Sequence, residues 1–275
     1  MSVTSDPSPL PSAIPGRPLL PVRPWRSEVT FTALAAALAS AIGAGTGHAM
    51  ALVAVGALCV GAVVVGWVRL LDLPSPRGST AVLGLSAVGL VVTGWLAALP
   101  ERGVADLRWV LAALGLSILA AFIHQLARRD GRPRLVESLT ANVAGILLIA
   151  TWASATPYLA HDVAPSAILI VACAVAIATL ADVARGRWID DVPAVVLAAG
   201  LAAAGAGLAA RSVPVGEVPA WGAALAGVIA GVGSYALRQI LFVQPTQSRR
   251  RPQFASGAAS WLITGVVIAG LVVWQ

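Results

Sequence analysis

Long apolar runs, separated by short polar or basic segments, follow one another along almost the whole chain. Each run is close to the ~20 helical residues that cross the ~30 Å hydrocarbon layer of a membrane. We therefore predict an all-α fold, a polytopic integral membrane protein with about nine transmembrane helices. Their predicted ranges are 30–45, 49–71, 79–99, 107–126, 135–158, 164–183, 192–210, 218–237 and 254–274.

The first apolar stretch, residues 28–72, is too long for one span and must form a hairpin. Gly43, Gly45, Gly47 and His48 provide its turn. Residues 1–27 precede it and are rich in proline and arginine, which predicts a disordered cytoplasmic tail. The chain is thus divided into this tail and a helical transmembrane domain, residues 28–275.

The composition supports a membrane protein. Of 275 residues, 58% are hydrophobic and 11% charged, with a mean hydropathy of +0.86. The net charge of +6 lies in short loops and not on one continuous face, so we do not expect nucleic-acid binding. All 18 basic residues are arginine, which excludes Schiff-base and lysine-nucleophile mechanisms. The absence of lysine, together with abundant alanine and glycine, suggests a bacterium with a high GC content.

The arginines predict sidedness, because loops rich in arginine remain cytoplasmic. With the amino terminus inside and the carboxyl terminus outside, the cytoplasmic segments hold 15 arginines and the outer loops three, supporting a multi-pass protein of the cytoplasmic (inner) membrane. The inner set is Arg17, Arg23, Arg26, Arg69, Arg77, Arg128, Arg129, Arg132, Arg134, Arg185, Arg187, Arg238, Arg249, Arg250 and Arg251; the outer set is Arg102, Arg108 and Arg211.

Aromatic residues are expected at the membrane boundaries. The inner boundary would hold Trp25, Trp67 and Tyr235, and the outer one Trp95, Trp109, Tyr158, Trp221 and Trp274. Trp152 and Trp261 fall deeper, where we expect them to pack against neighbouring helices.

Small residues predict close helix packing in spans seven and eight. Gly200, Gly205 and Gly207 lie in the first of these spans, and Gly227 and Gly231 form a Gly-x-x-x-Gly spacing in the next. We expect packing within the chain, with a dimer face as the alternative. Cys59 and Cys173 are both expected to be small packing residues.

No ionisable residue falls at the middle of a predicted span, which disfavours a proton-coupled pump. The strongest candidate site is a pocket at the inner membrane surface formed by His124, Arg128, Arg134, Glu137 and Asn142. Arginine binds phosphate in a two-pronged geometry, so the pocket would take an anionic headgroup or a phosphate. Alternatively, the arginines only fix the topology of the chain. In that case the Glu137 carboxylate interacts favourably with the N-terminus of its own helix, and Asn142 forms a hydrogen bond to a neighbouring helix.

A second group of acidic residues, Asp182, Asp190 and Asp191, could hold Mg²⁺ with a phosphate-bearing substrate. Against this, Asp191 suits an ordinary helix start, and Asp182 could pair with Arg185 or Arg187. We therefore predict no metal site.

Catalytic motifs are missing from the sequence. His161 and Asp162, with Tyr158, are the one group resembling an acid–base pair, but neighbouring loop residues rarely point at one another. No nucleophile, metalloprotease or phosphate-binding glycine motif is present. We predict no catalytic residues and no cofactor.

The layout nevertheless resembles that of CDP-diacylglycerol synthases. The likeness consists of a basic tail, an immediate helical hairpin, about nine spans and the segment Asp182-Val183-Ala184-Arg185-Gly186-Arg187. That family's active site carries a serine with paired lysines and a Lys-Asp followed by a Gly-His-Gly-Gly-like segment, and this chain has neither. The resemblance covers topology only and implies at most a degenerate relative.

The leading hypothesis is therefore a non-catalytic membrane protein: a permease-like transport component or a cell-envelope complex subunit with a small neutral or lipidic ligand. One alternative is an inner-leaflet lipid-phosphate enzyme or lipid binder that uses His124, Glu137, Asn142 and the three aspartates. Another is a membrane scaffold. The expected partners are anionic lipid headgroups at the cytoplasmic face and a membrane-protein partner or a second copy of the chain.

Overall fold

The fold, a computed structural model, is described for residues 27–97, 107–159, 164–184, 191–212 and 219–274. Nine helical spans in these ranges are long and apolar enough to cross a membrane, which confirms the predicted all-α, multi-span architecture. The helices are α1 (Ser27–Gly45), α2 (Ala49–Leu70), α3 (Pro76–Ala97), α4 (Arg108–Ala127), α5 (Leu135–Ala155), α6 (Ala164–Ala178), α7 (Leu180–Ala184), α8 (Asp191–Ser212), α9 (Ala220–Phe242), α10 (Arg250–Leu262) and α11 (Gly265–Trp274).

Two of the spans consist of two helices each. A single residue, Thr179, separates α6 from α7, and Ile263 with Thr264 separates α10 from α11. The span formed by α10 and α11 is the most enclosed, with 72% of its 18-residue apolar core buried. It therefore forms the centre of the bundle, where α10 packs against α1, α2 and α9.

The remaining helices form two groups around this centre. The first group contains α3, α4 and α5, which pack against one another. The second contains α6, α8 and α9, and α1 packs against α6. The helices are apolar on nearly all sides. Their association therefore depends mainly on close van der Waals packing and not on burial of one apolar face.

The predicted close packing of small residues is confirmed where α8 meets α9. A Cβ added to Gly227 would lie 2.3 Å from Cβ of Ala206, and one added to Gly231 would lie 2.3 Å from Cβ of Ala202. Gly205 similarly approaches the backbone of Cys173, whereas Gly200 and Gly207 face open space. Cys59 is buried, Cys173 is partly buried, and neither forms a disulfide.

The aromatic residues follow the sequence prediction only in part. Trp152 and Trp261 are buried with ring centroids 6.3 Å apart, which confirms their packing role. Four tryptophans at one end of the bundle are more than half exposed, as expected at a membrane boundary: Trp95, Trp109, Trp221 and Trp274.

Trp67 and Tyr158 lie near the ends of their spans, as predicted, but these two rings and that of Tyr235 are buried in the bundle and not half solvated. For Trp67 the reason is a hydrogen bond, since its Nε1 donates to the carbonyl of Ala141 over 2.8 Å. Trp25 lies outside the described residues.

Helix α9 is longer than predicted, and this changes where Arg238 lies. Span eight was predicted to end at residue 237, but α9 continues to Phe242, so Arg238 lies inside the helix and not in a loop. Hydropathy ends a span at the first strong charge, whereas this charge is neutralised by a neighbouring helix, as described below. Other predicted features lie outside the described residues: the 1–26 tail, Arg102, His161, Asp162, Arg185, Arg187 and Asp190.

Candidate functional site

The loop of residues 128–134, here called the basic loop, connects α4 to α5 through a tight turn. Gly131 has a φ of +76°, and Arg132 and Arg134 also adopt the left-handed region, each with a φ of +52°. These backbone conformations reverse the chain between two antiparallel helices. The end of the bundle that carries this loop is called the arginine-rich end below.

Arg128 is buried and fully engaged within the loop region. Its Nη2 donates to a carboxylate oxygen of Asp130 over 2.7 Å, its Nε lies 3.2 Å from both oxygens, and its Nη1 donates to Oε1 of Gln125 over 2.9 Å. This hydrogen bonding holds the pKa of Asp130 below its usual range. Asp130 therefore stays ionised at neutral pH, and its carboxylate neutralises Arg128 from within the loop.

Arg134 and Glu137, predicted in the same pocket, lie on the surface instead. Their side chains form an ion pair of 2.5 Å, and 63% of the Glu137 side chain is exposed. Nη1 of Arg134 also donates to the carbonyl of Asp72 over 2.9 Å, which ties the basic loop to the α2–α3 loop. These two residues face away from the interior of the bundle.

Asn142, by contrast, is fully buried on α5. Its Nδ2 donates to Oγ of Ser79 on α3 over 3.3 Å, so it does bond a neighbouring helix. Its Oδ1 has no hydrogen-bond partner, and neither does Oγ of Ser138, which is buried one turn earlier on the same helix.

His124 lies against the first turn of α3. A Cβ added to Gly78 would lie 2.1 Å from Cε1 of the imidazole, so only glycine leaves room for the ring. Nε2 of His124 and Nε2 of the neighbouring Gln125 are also buried without a partner. Because Gly78 and Ser79 are consecutive, this turn of α3 separates His124 on one side from Asn142 on the other.

The polar side chains Ser79, His124, Gln125, Ser138 and Asn142 are called the α3–α5 polar cluster here. Four of its buried nitrogen or oxygen atoms have no hydrogen-bond partner among the residues that the structure describes. The great majority of buried polar atoms in proteins are hydrogen-bonded to protein or water, and each exception needs an explanation. The cluster therefore has spare hydrogen-bonding capacity for water or a polar ligand group.

An apolar groove of about 420 Å³ lies between α3 and α4. It begins at Leu85 and at Ala120, one helical turn from His124, and extends to Thr93 and Trp109 near the opposite end of the bundle. The hydroxyl of Thr93 donates a hydrogen bond to the carbonyl of Gly89, so this residue adds little polarity to the groove. The apolar groove thus ends about one helical turn from the nearest member of the polar cluster, His124.

A second buried polar group, which the sequence did not predict, joins α7, α9 and α10. Nε of Arg238 donates to Oδ2 of Asp182 over 2.6 Å, with side-chain exposures of 2% and 8%. Nη1 of Arg238 donates to Oγ of Ser234 over 2.7 Å and lies 3.4 Å from Oγ of Ser260. Gln239 donates to the other oxygen of Asp182 over 3.0 Å.

This arrangement bears on the three predicted metal-binding aspartates. Asp182 is engaged by Arg238 and Gln239, and Asp191 is the first residue of α8. No group of three histidine, cysteine or acidic residues suited to a metal occurs in the part of the chain that the structure describes. Asp190 lies outside that part.

The described residues thus define a multi-pass helical membrane protein with two buried polar groups. A scan of protein-family models and searches of curated proteins and solved structures found no match to this chain.

Proposed function

We propose that this chain is a non-catalytic, permease-like membrane component that binds a lipidic ligand between α3, α4 and α5. The observation that carries the proposal is an apolar groove between α3 and α4 whose end at Ala120 lies one helical turn from His124, a member of the α3–α5 polar cluster. An acyl chain fits an apolar groove open to the bilayer, and a headgroup or linkage region would satisfy polar atoms at its end. A lipid has this combination of parts.

The chemistry of the cluster favours binding over catalysis. Its hydroxyl, amide and imidazole groups supply hydrogen bonds, while the charged neighbours Arg128, Arg134 and Glu137 are engaged in ion pairs. A general acid or base would have to lie within hydrogen-bond reach of a reacting group, and these ion-paired residues are already committed.

Filling the groove tests the proposal. Gly89 lines the groove, and a side chain there meets no other atom within 4 Å of its Cβ, so Gly89→Trp should fold and occupy the acyl-chain space. We expect it to lower crosslinking by a photoactivatable phospholipid several-fold, measured by mass spectrometry on protein purified in mild detergent.

Gly115→Trp is the matched control, since Gly115 on α4 is also unobstructed but does not line the groove. It should crosslink like the unmodified protein. Equal crosslinking of both variants at the α3–α4 surface would contradict lipid binding in the groove and favour a scaffold role.

We further propose that the arginine-rich end faces the cytoplasm, in a bacterial cytoplasmic membrane, with the amino terminus inside and the carboxyl terminus outside. The support is the distribution of arginine: Arg69, Arg77, the basic loop and Arg249 lie toward one end, while Arg108 and Arg211 lie toward the other. Green fluorescent protein fused at the amino terminus should fluoresce, and alkaline phosphatase fused at the carboxyl terminus should be active. Two termini on the same side would contradict this topology.

A further inference from the structure

Two segments at the arginine-rich end are joined to each other. The hydroxyl of Thr246, between α9 and α10, donates to the carbonyl of Leu70 at the end of α2. Helices α2 and α10 also touch, since a Cβ added to Gly66 would lie 2.7 Å from the carbonyl oxygen of Arg251. These contacts bring Arg69 into the neighbourhood of the run Arg249, Arg250 and Arg251.

These four arginines are called the α2–α10 arginine group here. All four are exposed, and none forms an ion pair within the described ranges. Arg128, Arg134 and Arg238, in contrast, each have an acidic partner. The group therefore presents uncompensated positive charge.

The position of the group at a helix N-terminus makes the local electrostatic potential more positive. Arg249 is the N-cap of α10 and makes no side-chain capping bond, and the first turn of the helix contains no acidic residue. Helix N-termini carry partial positive charge and free N–H groups, so three arginines here repel the helix dipole. An anion bound at this point would relieve that repulsion and accept hydrogen bonds from the free N–H groups.

Two buried glutamines give a second, independent indication of a ligand. Gln247 and Gln253 flank the arginine run and are at least nine-tenths buried. Their Nε2 atoms donate to the carbonyls of Leu241 and Gln247, over 3.3 and 2.7 Å. Neither Oε1 atom has a hydrogen-bond partner within the described ranges. Amide oxygens accept hydrogen bonds, so the missing partners are donors such as hydroxyl groups.

We infer that the α2–α10 arginine group binds the phosphate of an anionic phospholipid whose headgroup also carries hydroxyl groups, of the phosphatidylglycerol type. Arginine recognises phosphate in a two-pronged geometry. The headgroup hydroxyls would donate to Oε1 of Gln247 and Gln253. The group lies at the ends of membrane spans, where lipid phosphates are concentrated, which favours a lipid over a free phosphate ester. This site is separate from the α3–α4 groove and does not depend on it.

The test measures binding of short-chain phosphatidylglycerol, phosphatidic acid and phosphatidylethanolamine to the full chain by native mass spectrometry. We expect phosphatidylglycerol to bind best, and Arg250→Gln with Arg251→Gln to weaken its binding about thirtyfold, at roughly 1 kcal/mol for each of the two arginines. The control double variant, Arg77→Gln with Arg129→Gln, removes two exposed arginines from the same end of the bundle. It should change the affinity less than about threefold.

Gln253→Met separates the hydroxyl contacts from the phosphate contacts. It should abolish the preference for phosphatidylglycerol over phosphatidic acid and leave the affinity for phosphatidic acid unchanged. Equal losses in the two arginine double variants, or tight binding of glycerol phosphate, which has no acyl chains, would overturn the lipid site. An unchanged preference in Gln253→Met would overturn its hydroxyl specificity. Unaltered circular dichroism and melting temperature establish that each variant is folded.

Discussion

Replacement of Asp182 by leucine destabilises the protein by about 3–5 kcal/mol, because it leaves a buried arginine without its counter-charge. Arg238 is only 2% exposed, and after the substitution it keeps hydrogen bonds from its guanidinium to serine hydroxyls but no carboxylate. A charge in this environment is costly in a membrane protein. The measurement is unfolding in mixed detergent, followed by the loss of helical circular dichroism.

Two further variants identify the charge as the cause. Asp182→Leu with Arg238→Met removes both charges and should recover most of the lost stability, since an apolar pair can replace a buried ion pair. Arg134→Met breaks the exposed pair with Glu137 and should cost less than about 1 kcal/mol. Equal costs for Arg134→Met and Asp182→Leu would show that burial of the Asp182–Arg238 pair has no energetic role.

Addition of one methyl group to α9 has opposite effects at two neighbouring glycines. Gly231→Ala destabilises the protein by about 1–3 kcal/mol, because the new Cβ would lie 2.3 Å from Cβ of Ala202 and α8 must move away. Thermal unfolding of the purified protein measures the change.

Gly233 provides the matched control on the same helix. A Cβ there meets nothing within 4 Å, so Gly233→Ala should be neutral or stabilise by up to about 1 kcal/mol through helix propensity. If the two substitutions change the melting temperature in the same direction, the close α8–α9 contact does not control stability.

The number and order of the spans were predictable because the bilayer imposes a length of apolar sequence that is visible without knowing any contact. The first hairpin is an example: α1 ends at Gly45, α2 begins at Ala49, and Gly47 between them has a φ of +71°. The burial of Trp152 and Trp261 was predictable from their depth within apolar runs. The close contact of α8 with α9 was predictable from the small residues in both segments.

The polar contacts were less accessible to sequence analysis. Helices that are apolar on every side do not reveal which face points inward, so the pairing of Asp182 with Arg238, 56 residues later, has no local signature. The same limitation applies to the predicted pocket. Sequence neighbours suggested one site for five residues, but the structure places Asn142 inside the bundle and Glu137 on the surface.

The segment where α2 passes into the α2–α3 loop is held by partners that belong to different parts of the molecule. Arg134 donates to the carbonyl of Asp72, and Thr246 donates to the carbonyl of Leu70, two residues earlier. Asp72 has a φ of +49°, a backbone conformation that is uncommon outside glycine, and only one residue separates it from Leu70. A ligand bound at the α2–α10 arginine group that shifts this segment would therefore change the free energy of the contact between Arg134 and Asp72. Thermodynamic linkage then requires that a change at the Arg134 contact alters the free energy of ligand binding by the same amount.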